Sequence, residues 1–111
     1  MIRPVARLVV AVPGTLVRAT SQEADPDKHI AIHGVMFQAL PTNVGIVYIG
    51  TSALVRATFT NCFAYLPVPT TNQAPTFSAA LTIAPNGLAL GQYYIDADNA
   101  GDGVLVTVLI A

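Results

Sequence analysis

Leu54-Val55-Arg56-Ala57-Thr58-Phe59-Thr60-Asn61-Cys62-Phe63-Ala64-Tyr65-Leu66 carries the clearest pattern in this chain of 111 residues. Its odd positions Val55, Ala57, Phe59, Phe63 and Tyr65 are apolar, with Asn61 the exception. Its even positions include Arg56, Thr58, Thr60 and Cys62. A period of two is that of a strand with two unlike faces. The stretch is therefore expected to be one strand, with the odd set turned to the core and the even set to water.

The same period recurs on both sides. In residues 3–12, Arg3, Val5, Arg7 and Val9 share one face, and Pro4, Ala6, Leu8, Val10 and Val12 the other. Val12-Pro13-Gly14-Thr15 fits a type II turn, Pro fixing φ and Gly supplying a positive one. Residues 15–20 are expected to return as a short second strand. The polar stretch 21–28 (SQEADPDK) then separates this N-terminal arm or hairpin, 1–28, from a body at 29–111.

Within the body, 29–40 reads as a long strand with a bulge at Gly34, and Pro41-Thr42-Asn43 as a turn. Residues 44–50, 77–83, 88–95 and 104–110 read as further strands, with Pro85-Asn86-Gly87 a turn between two of them. Both faces of 104–110 are apolar, which predicts a central strand. Helical spacing is absent, and eight glycines and eight prolines punctuate the chain. The expectation is an all-β fold. It would be a single small β-sandwich or barrel, jelly-roll-like, of about eight strands.

Charge narrows the function classes. Between Lys28 and Asp96 the only formally charged side chain is Arg56, and charged residues make up 10% of the chain. An ordinary soluble domain carries about 25%. The hydrophobic fraction is 53%, and the mean hydropathy is +0.58. A free monomer of this size exposes about 5,800 Å² and a standard interface covers about 800 Å² per partner. Two neighbours and a docking face would cover about 40% of that surface, the scale on which an uncharged middle makes sense. The chain reads as part of an assembly.

Other partners fit poorly. No apolar run approaches the about 20 residues of a membrane-spanning helix, so no membrane partner is expected. Pro13-Gly14 interrupts the only stretch with signal-peptide character. A net charge of −1 offers no basic patch for nucleic acid. The single cysteine, Cys62, excludes an internal disulfide and a thiolate metal cluster.

Catalytic and metal-binding patterns are weak. His29 and His33 would stand about 13 Å apart on one strand, too far to share a metal. Asp96 and Asp98 fit the first and third positions of a calcium loop and Gly101 the sixth. Ala100 stands at the fifth, however, and Thr107 where a bidentate Glu belongs. The acidic octet is expected to be a turn whose side chains satisfy nearby backbone groups. Cys62 with His29 or His33 is the only formal nucleophile and base, and no glycine-rich phosphate loop or Gly-x-Ser-x-Gly motif occurs. No enzyme, no cofactor and no metal are expected.

The tyrosines Tyr48, Tyr65, Tyr93 and Tyr94 suit interfaces, because each offers apolar area and one hydrogen bond at low entropic cost. Adjacency puts Tyr93 and Tyr94 on opposite faces, so at least one should look outward.

Two segments carry a resemblance. Phe37-Gln38-Ala39-Leu40-Pro41-Thr42-Asn43-Val44-Gly45-Ile46-Val47-Tyr48-Ile49-Gly50 resembles a strand pair recurring in small all-β virion proteins of tailed bacteriophages. Tyr94-Ile95-Asp96-Ala97-Asp98-Asn99-Ala100-Gly101-Asp102-Gly103-Val104 resembles the hairpin near the C-terminus of the same proteins, and Pro85-Asn86-Gly87-Leu88 sits where their intervening turn falls. The resemblance runs from His29 onward and leaves residues 1–28 uncovered.

It implies a capsid decoration (cement) protein on the virion exterior, made in the bacterial host cytoplasm. Such proteins form homotrimers that clamp neighbouring subunits of the major capsid protein and stabilise the shell. The resemblance also admits another virion part, in the tail, baseplate or head–tail junction. From a different class, a β-sandwich carbohydrate- or receptor-binding module would need an exposed polar and aromatic pocket. In an assembly, Arg3, Arg7 and Arg18 would reach acidic patches on the shell, or the arm would add strands to a neighbour's sheet edge. The candidate interface residues are thus Arg3, Arg7, Arg18, Tyr48, Tyr93 and Tyr94.

Overall fold

The computed structural model describes residues 2–25, 27, 30, 32–68, 81–82 and 89–110. Eight strands follow in order: β1 (Ile2–Val9), β2 (Val17–Arg18), β3 (Ile32–Ala39), β4 (Val47–Val55), β5 (Thr60–Leu66), β6 (Leu81–Thr82), β7 (Tyr94–Ala97) and β8 (Gly103–Ile110). They make two four-stranded sheets, ordered β1-β8-β3-β6 and β2-β7-β4-β5. Every pairing is antiparallel.

The pairing has a simple rule. β4 pairs with β5, β3 with β6, β2 with β7 and β1 with β8. The chain is one long hairpin, folded back at the β4–β5 turn and then rolled. Rolling brings β8 beside β3 and β7 beside β4. This is the eight-stranded jelly roll, two interlocked Greek keys. The all-β expectation holds, and the architecture is the sandwich form.

Alternation explains the core. Val104, Val106 and Val108 of β8 point inward and are buried, as are Ile49 of β4 and Ile95 of β7 on the facing sheet. Phe37, Leu8, Val10, Val47, Leu66, Leu90 and Tyr93 complete the cluster. Each fully buried aliphatic or aromatic side chain contributes about 1.5–3 kcal/mol relative to exposure. β8 is central, flanked by β1 and β3, as its two apolar faces predict. The other face of β8 leaves Leu105 and Leu109 partly open to solvent.

Local signals hold at several points. The Thr15 N–H donates to the Val12 carbonyl (3.0 Å) and Gly14 has φ +91°, as the Pro-Gly turn requires. Register shifts between Ile32 and Gly34, which is the expected bulge. The Asn43 N–H closes a turn onto the Leu40 carbonyl (3.0 Å).

Three expectations are overturned. Residues 1–28 are no separate arm or hairpin, because β1 is an edge of one sheet and β2 an edge of the other. The turn at Pro13-Gly14 is a crossing between layers. Residues 54–66 are two strands, since the chain reverses at Arg56 and Val55 pairs with Thr60. The strand expected at 88–95 is interrupted by a 3-10 turn at Leu90–Gln92, held by the Leu90 N–H on the Ile30 carbonyl (2.9 Å). Most of the strand expected at 77–83 and the turn at Pro85-Asn86-Gly87 lie outside the described residues.

Candidate functional site

The reversal at Arg56 inverts the pattern from which the sequence reading began. Val55, Phe59, Phe63 and Tyr65 are 47%, 50%, 49% and 55% exposed, while Leu54 and Leu66 are buried. Four irregularities cause this. Phe59 and Asn61 both adopt φ +56°, and register shifts twice along β4–β5, at Ile49/Gly50 and Gly50/Val55. One residue of slip sends every following side chain to the opposite face. A Cβ on Gly50 would strike the Asn61 carbonyl, so the bulge needs a glycine there.

The rings of the hairpin and of Tyr48 beneath it are organised. Tyr48, Phe59 and Tyr65 form a ladder with centroids 5.5 Å apart at each step, tilted by about 60°. Tyr48 stands opposite Tyr65 in register, one residue from the core row Ile49–Ala64–Ile95, so this ladder lies on the outward face. Phe63 packs at the rim of the core against Tyr93, 5.6 Å between centroids. The hairpin thus carries aromatic surface on both sides of β5.

A cleft of about 380 Å³ opens next to Phe63, lined by Arg18, Thr51, Ser52, Gly91, Gln92 and Tyr94. The Arg18 Nε–H donates to the Gly91 carbonyl (2.8 Å) and its Nη1 pairs with Asp27 (2.7 Å). The guanidinium carbon sits 5.9 Å from the Tyr94 ring centre, a cation–π distance. The lining therefore combines a fixed cation over an aromatic ring with the ring of Phe63.

The acidic octet does different work. Asp102 is buried, and its two oxygens accept the N–H groups of Val44 (3.0 Å) and Gly45 (2.8 Å). Asn43 is buried too; its side chain both donates to the Gly103 carbonyl (2.8 Å) and accepts its N–H (2.9 Å). Asp96, also buried, accepts from the Gly14 N–H (2.9 Å) and from the Ala97 N–H (2.8 Å). Arg56 reaches Asp96 (3.4 Å) and Asp98 (2.9 Å), and the Tyr48 hydroxyl donates to Asp98 (3.2 Å). These carboxylates tie the β1–β2, β3–β4, β4–β5 and β7–β8 connections into one corner. No cluster of three metal-ligating side chains occurs among the described residues.

The expected interface residues divide. Tyr93 is 1% exposed and packs its ring on Phe37, so it cannot face a partner here. Its hydroxyl has no hydrogen-bond partner among the described residues, and burial pushes its ionisation up from the usual 10.0. Tyr48 is also buried; desolvation first, then the Asp98 charge, raises its ionisation above the same value. Of the adjacent pair, Tyr94 looks outward, but Arg18 already covers it.

Arg7 is exposed and stands opposite the exposed Leu105, whereas Arg3 stands opposite the buried Val108. The pairing register of β1 with β8 shifts between Pro4 and Ala6, that is, between these two positions. The side chains of Arg3 and His33, and all of His29, lie outside the described residues. The thiol of Cys62 donates to the Ala64 carbonyl (3.1 Å) within its own strand.

Sequence reasoning placed Phe59 and Phe63 inside, and so missed them as surface; Tyr65 was put on the same core face, though its residue type suits an interface. It gave Arg56 no role, although an isolated charge in an uncharged stretch was a signal that a buried partner awaited it. Comparison with family models, curated proteins and solved structures finds no match for this chain. The class that the fold defines is the jelly-roll β-sandwich.

Proposed function

We propose that this chain is a structural subunit of a virion, a capsid decoration protein that binds the major capsid protein and stabilises the shell. The observation that carries this reading is the half-exposed aromatic hairpin of Phe59, Phe63 and Tyr65, in a chain whose middle holds one formal charge. A monomer seldom leaves contiguous apolar surface unless something covers it. The jelly roll supports the reading only as analogy, since the fold serves viral shells and lectins alike.

Two surfaces are available. One is the hairpin. The other is the outward face of the β1-β8-β3 sheet, where Arg7, Leu105 and Gln38 form a row with Leu109 further along β8. That row combines apolar area with a cation, which suits an acidic patch on a shell subunit. Self-association, which the sequence resemblance puts at a trimer, would add avidity to weak single contacts.

The test is decoration. Purified protein is mixed with heads that lack it, sedimented, and counted by gel densitometry. Hundreds of copies per head are expected for a shell component. Tens would move the chain to the tail, baseplate or head–tail junction, and none would reject the reading. The cleft favours a second reading, a carbohydrate-binding module, because Tyr94 and Phe63 flank Arg18, Thr51, Ser52 and Gln92. Saturable binding on a glycan array, lost in Gln92→Ala, is its expected result.

A further inference from the structure

We propose that the cleft beside Phe63 binds a short saccharide through a carboxylate group, a uronic acid rather than a neutral sugar. The inference rests on the carbohydrate reading of that cleft, and is independent of any decoration of a shell.

Hydrogen-bond donors carry it. A guanidinium has five N–H groups. In Arg18 the Nε–H goes to the Gly91 carbonyl and one Nη1 N–H to Asp27, so three of the five have no partner among the described residues. The Gln92 Oε1 accepts the Ala89 N–H (3.1 Å), which leaves its amide nitrogen to donate. The Thr51 hydroxyl oxygen accepts the Ala53 N–H (3.2 Å), which leaves its O–H to donate as well. The Ser52 hydroxyl is exposed. No carboxylate lines the cleft. One cation and several neutral donors therefore surround a space that holds no anion of its own. A carboxylate, which only accepts, and through about four lone-pair directions, suits that lining.

The guanidinium is held before a ligand arrives. The Gly91 carbonyl fixes its Nε side and the Tyr94 ring lies 5.9 Å from its carbon, so little side-chain freedom is lost on binding. Asp27 is a weak competitor. Its side chain is 88% exposed, and an ion pair in water contributes little. A phosphate dianion, in contrast, would bring a second charge that one shared cation does not match.

Phe63 favours a sugar over a bare carboxylate. Its ring is 49% exposed, and packs on Tyr93 at the rim of the core. A pyranose lays a face of C–H groups on such a ring and carries hydroxyls along its rim, where the Thr51 and Ser52 hydroxyls both give and accept. Tyr94 is no second platform, because Arg18 covers it. A volume of about 380 Å³ is near the small end for a ligand cleft, which suits a short saccharide.

Phe63 also belongs to the hairpin that a shell would cover, so the free, full chain is the one to titrate. Calorimetry with disaccharides of galacturonate and of glucuronate, each beside its methyl ester, tests the proposal, with acetate as the bare carboxylate. An acid disaccharide should bind at least about 10-fold tighter than its ester, and acetate should not bind at the same concentrations. Asp27→Asn frees the guanidinium, and should tighten the acid about 3-fold without changing the ester. Ser52→Glu, at an exposed position, sets a like charge in the cleft and should weaken the acid about 10-fold while sparing the ester. Equal binding of acid and ester overturns the carboxylate claim and leaves the carbohydrate reading standing. Acetate binding as tightly as the acid disaccharides overturns the saccharide claim. Binding of neither acid nor ester, or a weaker acid complex in Asp27→Asn, overturns the proposal as a whole, and the glycan array then decides the broader carbohydrate reading by itself.

Discussion

The corner around Asp102 and the β4–β5 hairpin are opposites. The corner is built on an acidic stretch of the chain, yet its carboxylates Asp96 and Asp102 are buried. The hairpin is among the most hydrophobic stretches and is largely exterior. In the corner, carboxylates meet backbone N–H groups that rolling the sheet has stranded without ladder partners. A buried donor left unpaired costs about 1–3 kcal/mol, so a buried acid that accepts two of them is stabilising despite its own desolvation. In the hairpin, the chain runs out of its own surface to place over Phe59 and Tyr65. What a residue type says about burial thus depends on what the remainder of the fold offers it.

Substitutions should separate the two regions sharply. Asp102→Ala leaves the Val44 and Gly45 amides unsatisfied, and should cost about 3–4 kcal/mol. Thermal denaturation should show Tm falling by roughly 15 °C for a chain of this size. A loss under about 1 kcal/mol would mean that the corner is not a fastener. Arg56→Met strips the cation from buried Asp96. It should cost about 2 kcal/mol, below the about 3–5 of a fully enclosed pair because the guanidinium is one-third exposed. Chemical denaturation would read this as an earlier midpoint with unchanged slope.

Tyr93→Phe moves the other way. Its hydroxyl is buried without a partner among the described residues, so removing it should stabilise the fold by about 1 kcal/mol. A destabilised variant would reveal a partner for that oxygen.

Alkaline pH probes both buried tyrosines. Their folded ionisation lies above the ordinary 10.0, so the unfolded chain gives up these protons first. Their share of stability is full below pH 10 and is lost as pH rises through the folded values. Melting across pH 9–12 should show this decline, and Tyr48→Phe combined with Tyr93→Phe should flatten it. The smallest effect belongs to the hairpin. Tyr65→Ser should change monomer stability by under about 1 kcal/mol, because the ring already stands half in water.

Much of the fold was legible. The Pro13-Gly14 turn, the Gly34 bulge and the central place of residues 104–110 each follow from local chemistry or from apolar character on both faces. Three things were not. The alternation in 54–66 reveals two faces but not which lies inside, and the reversal at Arg56 depends on Asp96 and Asp98, forty residues and more away. The acidic octet reads as a turn, and it is one. Nothing local says that Val44, Gly45 and Gly14 will bring their amides to it. The first 28 residues look separable because 21–28 is polar, yet β1 is fixed by β8 at the far end of the chain.

The central claim is that the aromatic hairpin is surface in the isolated chain and interior in the assembly. Hydroxyl-radical footprinting of Phe59, Phe63 and Tyr65 tests it directly, comparing dilute protein with protein in its assembled state. The account predicts strong labelling of all three when dilute and clear protection once assembled. Equal labelling in both states, or rings already shielded in the dilute monomer, would contradict it.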